Sequence, residues 1–134
     1  MSAVLVVDDN SDLLELFSFV LQDAGYHVLT ARDGIEGLAV IRSCATLPDA
    51  IVLDVDMPRM SGPEMIRQLR IRKDGEEQIP VLLISAMYRP DFLKLTEQLQ
   101  LRHSLSKPFG SDELLAAVAS ITAGPRRVLR RTPA

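Results

Sequence analysis

Apolar runs in this sequence repeatedly end on side chains that can do chemistry. AVLVV (3–7) runs into Asp8 and Asp9, and AIVL (50–53) runs into Asp54, with Asp56 two residues on. PVLLIS (80–85) closes on Ser85, and HSLS (103–106) leads into Lys107-Pro108. Each has an ordinary use taken alone. Asp8, Asp9 and Asn10 ahead of a helix are natural N-caps, Asp54 is a loop acid, Ser85 satisfies a turn amide, and Lys107 lies on the surface. Brought together, three carboxylates and one ammonium are not self-sufficient, because one cation leaves most of the negative charge uncompensated. A hard divalent cation resolves the excess. Mg²⁺ fits, since it takes one or two carboxylates and then waters and phosphate oxygens; Mn²⁺ is the alternative ion. A carboxylate, a divalent cation, a hydroxyl and a lysine are the parts of phosphoryl transfer. Asp54 would be the nucleophile, the cation and Lys107 would offset charge on the transferring oxygens, and Ser85 would donate to one of them. The sequence has no Walker A motif, no G-x-G-x-x-G after a strand and no His/Cys ligand cluster, so a nucleotide site is not supported.

These side chains converge only if the elements carrying them are parallel strands. The chain alternates short apolar runs, with HVLTA (27–31) as the second of five, with segments of helical period. Leu13, Phe17, Val20, Leu21 and Ala24 recur at spacings of three and four before Gly25 stops the first helix. Asp33-x-x-Glu36 and Ser61-x-x-Glu64 are capping-box spacings that open the second and third. Pro90 and Asp91 open a fourth, ending near Leu99. Ser111 begins the fifth, with Asp112 and Glu113 in its first turn and Leu114, Leu115, Val118 and Ile121 following. Five strand–helix repeats predict an α/β, doubly wound fold in one domain, a parallel sheet with helices on both faces. Ligands in such sheets bind outside the carboxyl ends of the strands.

At 134 residues, 47% hydrophobic and 25% charged, the chain has the composition of an ordinary globular domain. No apolar run approaches the roughly 20 residues that span a bilayer, and MSAVLVVDDN lacks the features of a secretory signal. The single cysteine, Cys44, excludes an internal disulfide, reads as a structural thiol and suits a reducing cytoplasm. The last eleven residues, GPRRVLRRTPA, hold four arginines and no acid. The preceding part therefore carries 11 basic against 18 acidic residues, a net charge of −7. Such an acidic body is not expected to bind nucleic acid directly. The tail, 124–134, reads as a basic Arg/Pro end or linker stub following a domain over 1–123.

VVDDN, LDVDMPRMSGPE, LLISA and SLSKPF, with ARDGIEGL at the start of the second helix, resemble the receiver domain of two-component response regulators, a CheY-like, flavodoxin-like family. The resemblance runs from residue 3 to about 122. It implies the strand order 2-1-3-4-5 and a role as phosphoacceptor, not as a turnover enzyme. By this resemblance Asp54 accepts a phosphoryl group from a histidine kinase or histidine phosphotransfer protein. Asp9 binds Mg²⁺ directly, Asp8 acts mostly through water, and Asp54 and the backbone carbonyl of Asp56 complete the protein ligands. Ser85 bonds the phosphoryl group and reports it, Lys107 pairs with it, and the Lys107-Pro108 bond is expected to be cis. Asp56 and Met87 are expected to tune the reaction. The face of helix four, strand five and helix five is expected to bind a downstream protein or a second copy of the chain.

Two positions depart from the family pattern. Ser104 stands where an aromatic residue usually precedes the lysine by three, with His103 beside it on the opposite strand face, and LQLRHS replaces the usual GADDY approach to strand five. Either the output surface switches differently, or a partner reads the active-site end. Asp54-Val55-Asp56 also matches the Asp-x-Asp of haloacid-dehalogenase-type phosphatases. That alternative needs the motif on the first strand, a cap insertion and a longer chain.

Overall fold

The computed structural model describes residues 2–72 and 74–122; the tail lies outside them. Five strands, β1 (Ala3–Val7), β2 (His27–Ala31), β3 (Ala50–Asp54), β4 (Val81–Ser85) and β5 (His103–Ser106), alternate with five helices. The helices are α1 (Ser11–Asp23), α2 (Gly34–Ser43), α3 (Gly62–Ile71), α4 (Arg89–Gln98) and α5 (Ser111–Thr122), and a 3₁₀ turn at Glu76–Gln78 precedes β4. All strand pairs are parallel and the order is β2-β1-β3-β4-β5.

Alternation along the central strands separates two apolar layers, because successive side chains point to opposite faces. Leu5, Val7, Ile51, Leu53 and Leu83 pack with Leu38 and Ile41 of α2, Met65, Ile66 and Leu69 of α3, and Phe92 of α4. Val4, Val6, Val52, Leu82 and Ile84 pack with Leu14, Phe17 and Leu21 of α1 and with Leu114 and Val118 of α5. Strands β3 and β4 are buried along their whole length, whereas the edge strands β2 and β5 are partly exposed.

The helix boundaries follow the expected chemistry. Asn10 caps α1, accepting from the amides of Asp12 and Leu13; Asp33 caps α2 and Ser61 caps α3. Gly25 adopts φ +100° just beyond α1. There its amide bonds to Gln22 and that of Tyr26 to Leu21, satisfying the last carbonyls of the helix. Helix α4 starts at Arg89, one residue before the expected Pro90, with Tyr88 as a cap that offers no side-chain bond.

Candidate functional site at the carboxyl end of the sheet

The register places the ends of β1, β3, β4 and β5 along one edge: Val7 pairs with Leu53, Asp54 with Ile84, and Ser85 with Ser106. The chain order reverses between β1 and β3, the position where this kind of sheet opens a crevice. Asp8, Asp9 and Asp54 meet there, with one carboxylate oxygen of each within 4.8 Å of the others. Asp8 is fully buried and Asp54 nearly so, while Asp9 is exposed.

Lys107 ties this group together. Its Nζ donates to Asp8 Oδ2 at 3.0 Å and lies 3.2 Å from Asp54 Oδ1. The other oxygen of Asp8 accepts from the amide of Asn10, so both of its oxygens are engaged. The Lys107 amide donates to the carbonyl of Ser85, and the Lys107-Pro108 bond is cis, as expected. Phe109, two residues beyond Lys107, stacks on Phe17 of α1 with ring centroids 5.3 Å apart.

Electrostatics distinguish the acids. Burial pushes the Asp54 carboxyl up, the Asp8 carboxylate adds to this, Lys107 opposes it and Asp9 adds again; the result is about 6. Burial pulls the Lys107 ammonium down, but its bond to Asp8 and the charge of Asp54 outweigh this and hold it above its ordinary value.

Ser85 is buried, and its Oγ accepts from the amide of Met87. The hydroxyl therefore satisfies a turn amide and keeps its hydrogen for a second partner. Asp56 is exposed on the loop after β3. That loop is closed at its base by a bond from the Gly62 amide to the Val55 carbonyl. A Cβ on Gly62 would collide with the carbonyl oxygen of Asp54, so only glycine lets α3 approach Asp54 this closely. On β5, Ser104 is exposed and His103 half-buried, while Ser106 Oγ accepts from Arg89 Nη1 of α4.

The response regulator receiver domain profile matches residues 4–119. The chain belongs to the response regulator receiver domain family. It is 40% identical over 118 residues to hybrid signal transduction histidine kinase D of Dictyostelium discoideum, spanning 88% of this chain and 7% of that protein. It is 39% identical over 129 residues to response regulator MprA of Mycobacterium avium, spanning 96% of this chain and 51% of the relative. The chain thus covers about half or less of these relatives. Among solved structures, the chemotaxis response regulator CheY4 of Vibrio cholerae superposes with a TM-score of 0.80 at 33% identity, over 90% of this chain and 98% of that one. The signal receiver domain of a histidine kinase from Syntrophus aciditrophicus gives 0.87 at 26% identity, over 100% and 99%. This receiver places Asp54-Val55-Asp56 at the end of β3, not on the first strand as a dehalogenase-type phosphatase requires. Among its described residues no helix is long and apolar enough to cross a membrane.

One contact was not visible in the sequence. Arg59, in the loop after β3, donates from Nε and Nη2 to one oxygen of the buried Asp33 carboxylate. Asp33 was legible as a helix cap, but nothing in the spacing marked Arg59 as its partner.

Proposed function

We propose that this receiver takes a phosphoryl group on Asp54 in a reaction that needs a divalent cation, and that the acyl phosphate switches its binding to a partner. The observation that carries this reading is the placement of Lys107 Nζ between Asp8 and Asp54, with Asp9 close by. Three carboxylates against one ammonium leave an excess of negative charge in a corner where burial makes it costly. The donors are all oxygen, which suits Mg²⁺, or Mn²⁺ in its place. Exposed Asp9 would hold the ion directly. Asp8, whose oxygens already have partners, would act through water, and Asp54 and the carbonyl of Asp56 would complete the set. When bound, the ion offsets charge on the transferring phosphoryl oxygens.

A carboxylate oxygen of Asp54 attacks the phosphorus of a phosphohistidine on a histidine kinase or phosphotransfer protein. The P–O bond forms as the P–N bond breaks, and the electron pair returns to the imidazole nitrogen; the proton on the other ring nitrogen leaves the imidazole neutral. Lys107 pairs with the transferred group, and the Ser85 hydrogen turns to one of its oxygens. That movement pulls on the turn held by the Met87 amide, so the start of α4 shifts with it. The face formed by α4, β5 and α5 then binds a downstream protein or a second copy of the chain. With Ser104 in place of an aromatic, the bond from Arg89 of α4 to Ser106 of β5 is a contact on that face able to follow the movement. The domain works in the cytoplasm, without direct contact to nucleic acid, and turns over no external substrate.

Incubation with acetyl phosphate and Mg²⁺, followed by intact mass measurement, tests the acceptor. One acid-stable, base-labile adduct is expected on the wild type and none on Asp54→Asn. An adduct that persists in Asp54→Asn overturns the assignment.

A further inference from the structure

Arg59 has φ +65°, a left-handed conformation that an arginine adopts against its intrinsic preference. It sits near the outer end of the loop that joins the acceptor strand to α3. What holds it there is Asp33, whose side chain is only 4% exposed although Arg59 itself is largely in solvent. One oxygen of Asp33 receives both Arg59 nitrogens, and the other accepts from the Glu36 amide at 2.8 Å as the cap of α2. Burial pushes the Asp33 carboxyl up, but the Glu36 amide and the Arg59 guanidinium outweigh it and leave it below its ordinary value. The carboxylate is therefore ionised and fully partnered, unlike a solvated surface pair.

A second tie runs beside the first. The Gly34 amide, at the start of α2, donates to the carbonyl of Met60 at 3.1 Å. The loop is thus fastened at two places: at its base, by Gly62 to Val55, and at its outer limb, by Asp33 and Gly34 to Arg59 and Met60. Asp56, Met57 and Pro58 lie between these fastenings. Arg59 is only three residues on from Asp56, so a shift of the outer limb has few soft backbone dihedrals to absorb it before it reaches the Asp56 peptide.

We infer that Asp33 and Arg59 are positioning residues for the divalent-cation site: their pairing fixes the outer limb of the β3–α3 loop on α2 and thereby aims the Asp56 carbonyl, with neither side chain touching the ion. This rests on the reading of Asp56 as a ligand through its carbonyl. It makes cation affinity depend on an ion pair formed on another helix.

The test measures Mn²⁺ affinity from the electron paramagnetic resonance signal of the free ion, alongside urea unfolding. The proteins compared are wild type, Asp9→Asn, Arg59→Gly, Arg59→Lys, Asp33→Asn and the Arg59→Gly/Asp33→Asn double variant. Glycine adopts the left-handed conformation without steric strain while removing the guanidinium. A merely structural arginine would leave Mn²⁺ affinity unchanged in Arg59→Gly. The clasp predicts a Kd raised about tenfold there, the low end for outer partners of metal ligands. It also predicts partial recovery in Arg59→Lys, a double variant no weaker than the worse single, and faster amide exchange at Asp56 and Met57 in metal-free Arg59→Gly. Wild-type affinity in a folded Arg59→Gly overturns the inference and leaves the proposed cation site standing. Failure of the wild type to bind Mn²⁺, or binding indifferent to Asp9→Asn, overturns the cation site and the inference with it.

Discussion

Asp54 is held where its own charge is unwelcome, the condition under which a cation or a phosphoryl group would relieve the site as proposed. Its carboxyl sits at about 6 because burial and the neighbouring Asp8 disfavour the anion more than Lys107 favours it. The consequence for stability has a definite sign. The folded protein holds this proton more tightly than the unfolded chain, so between about pH 4 and 6 stability falls as pH rises. Above pH 6 the full penalty of the buried anion is present. Asp54→Asn removes that penalty, so in metal-free buffer the variant should be the more stable protein. Each tenfold change in proton affinity is worth about 1.4 kcal/mol, so the gain at pH 7.5 should be on the order of 1–3 kcal/mol, less whatever Lys107 loses with its partner. Urea unfolding in EDTA at pH 7.5, 6 and 4.5 checks this, and the two proteins should converge toward the acid end. Equal stability at pH 7.5 would mean that Lys107 already compensates the Asp54 anion. Asp33 contributes with the opposite sign: its carboxyl is lowered, so the stability it supplies is present near neutrality and is lost as pH falls through the acid range.

Among the elements, α3 is the one whose placement Asp54 feels most directly. It enters beneath β3 through Gly62, whose amide bonds to Val55 and whose missing side chain makes room for the carbonyl of Asp54. The obstruction a Cβ would meet is backbone, which cannot swing aside like a side chain. Gly62→Ala should therefore push α3 and the end of β3 apart and cost about 1–3 kcal/mol, the usual range for overpacking a tight interior. The displacement falls on Asp54 itself, so phosphorylation by acetyl phosphate should slow by more than the loss of folded protein explains. Stability and labelling rate measured on the same preparation separate the two effects. On the other side of the site, the Phe17–Phe109 stack anchors the segment after Lys107 to α1. Asp54 and Lys107 are thus braced by different helices on opposite faces of the sheet.

Over the whole molecule, the features written in local sequence were the most legible. Continuous apolar runs gave the central strands because β3 and β4 are covered on both faces, and the capping positions Asn10, Asp33 and Ser61 all cap their helices. The acidic ends of β1 and β3 and Lys107 meet as a parallel sheet requires. What stayed hidden depends on pairing at a distance. Arg59 and Asp33 are 26 residues apart, and an arginine in an exposed loop reads as a solvated charge. Glu76, a charged residue in a polar stretch, is buried beside Arg42 at 3.5 Å, and its three-residue turn is too short to show a period. Local pattern does not encode such contacts. Because the carboxylates come from β1 and β3, a bound cation would link strands central to the sheet, and its effect should appear as global stability. At a hundred times its dissociation constant a ligand specific to the folded state adds about 2.7 kcal/mol. Mg²⁺ should accordingly raise Tm by several degrees at pH 7.5. Protons compete for Asp54 below about pH 6, so the increment should shrink as pH drops through that value. Thermal melts with and without Mg²⁺ at pH 7.5 and 5 measure it. An increment of equal size at both pH values would place the cation away from Asp54.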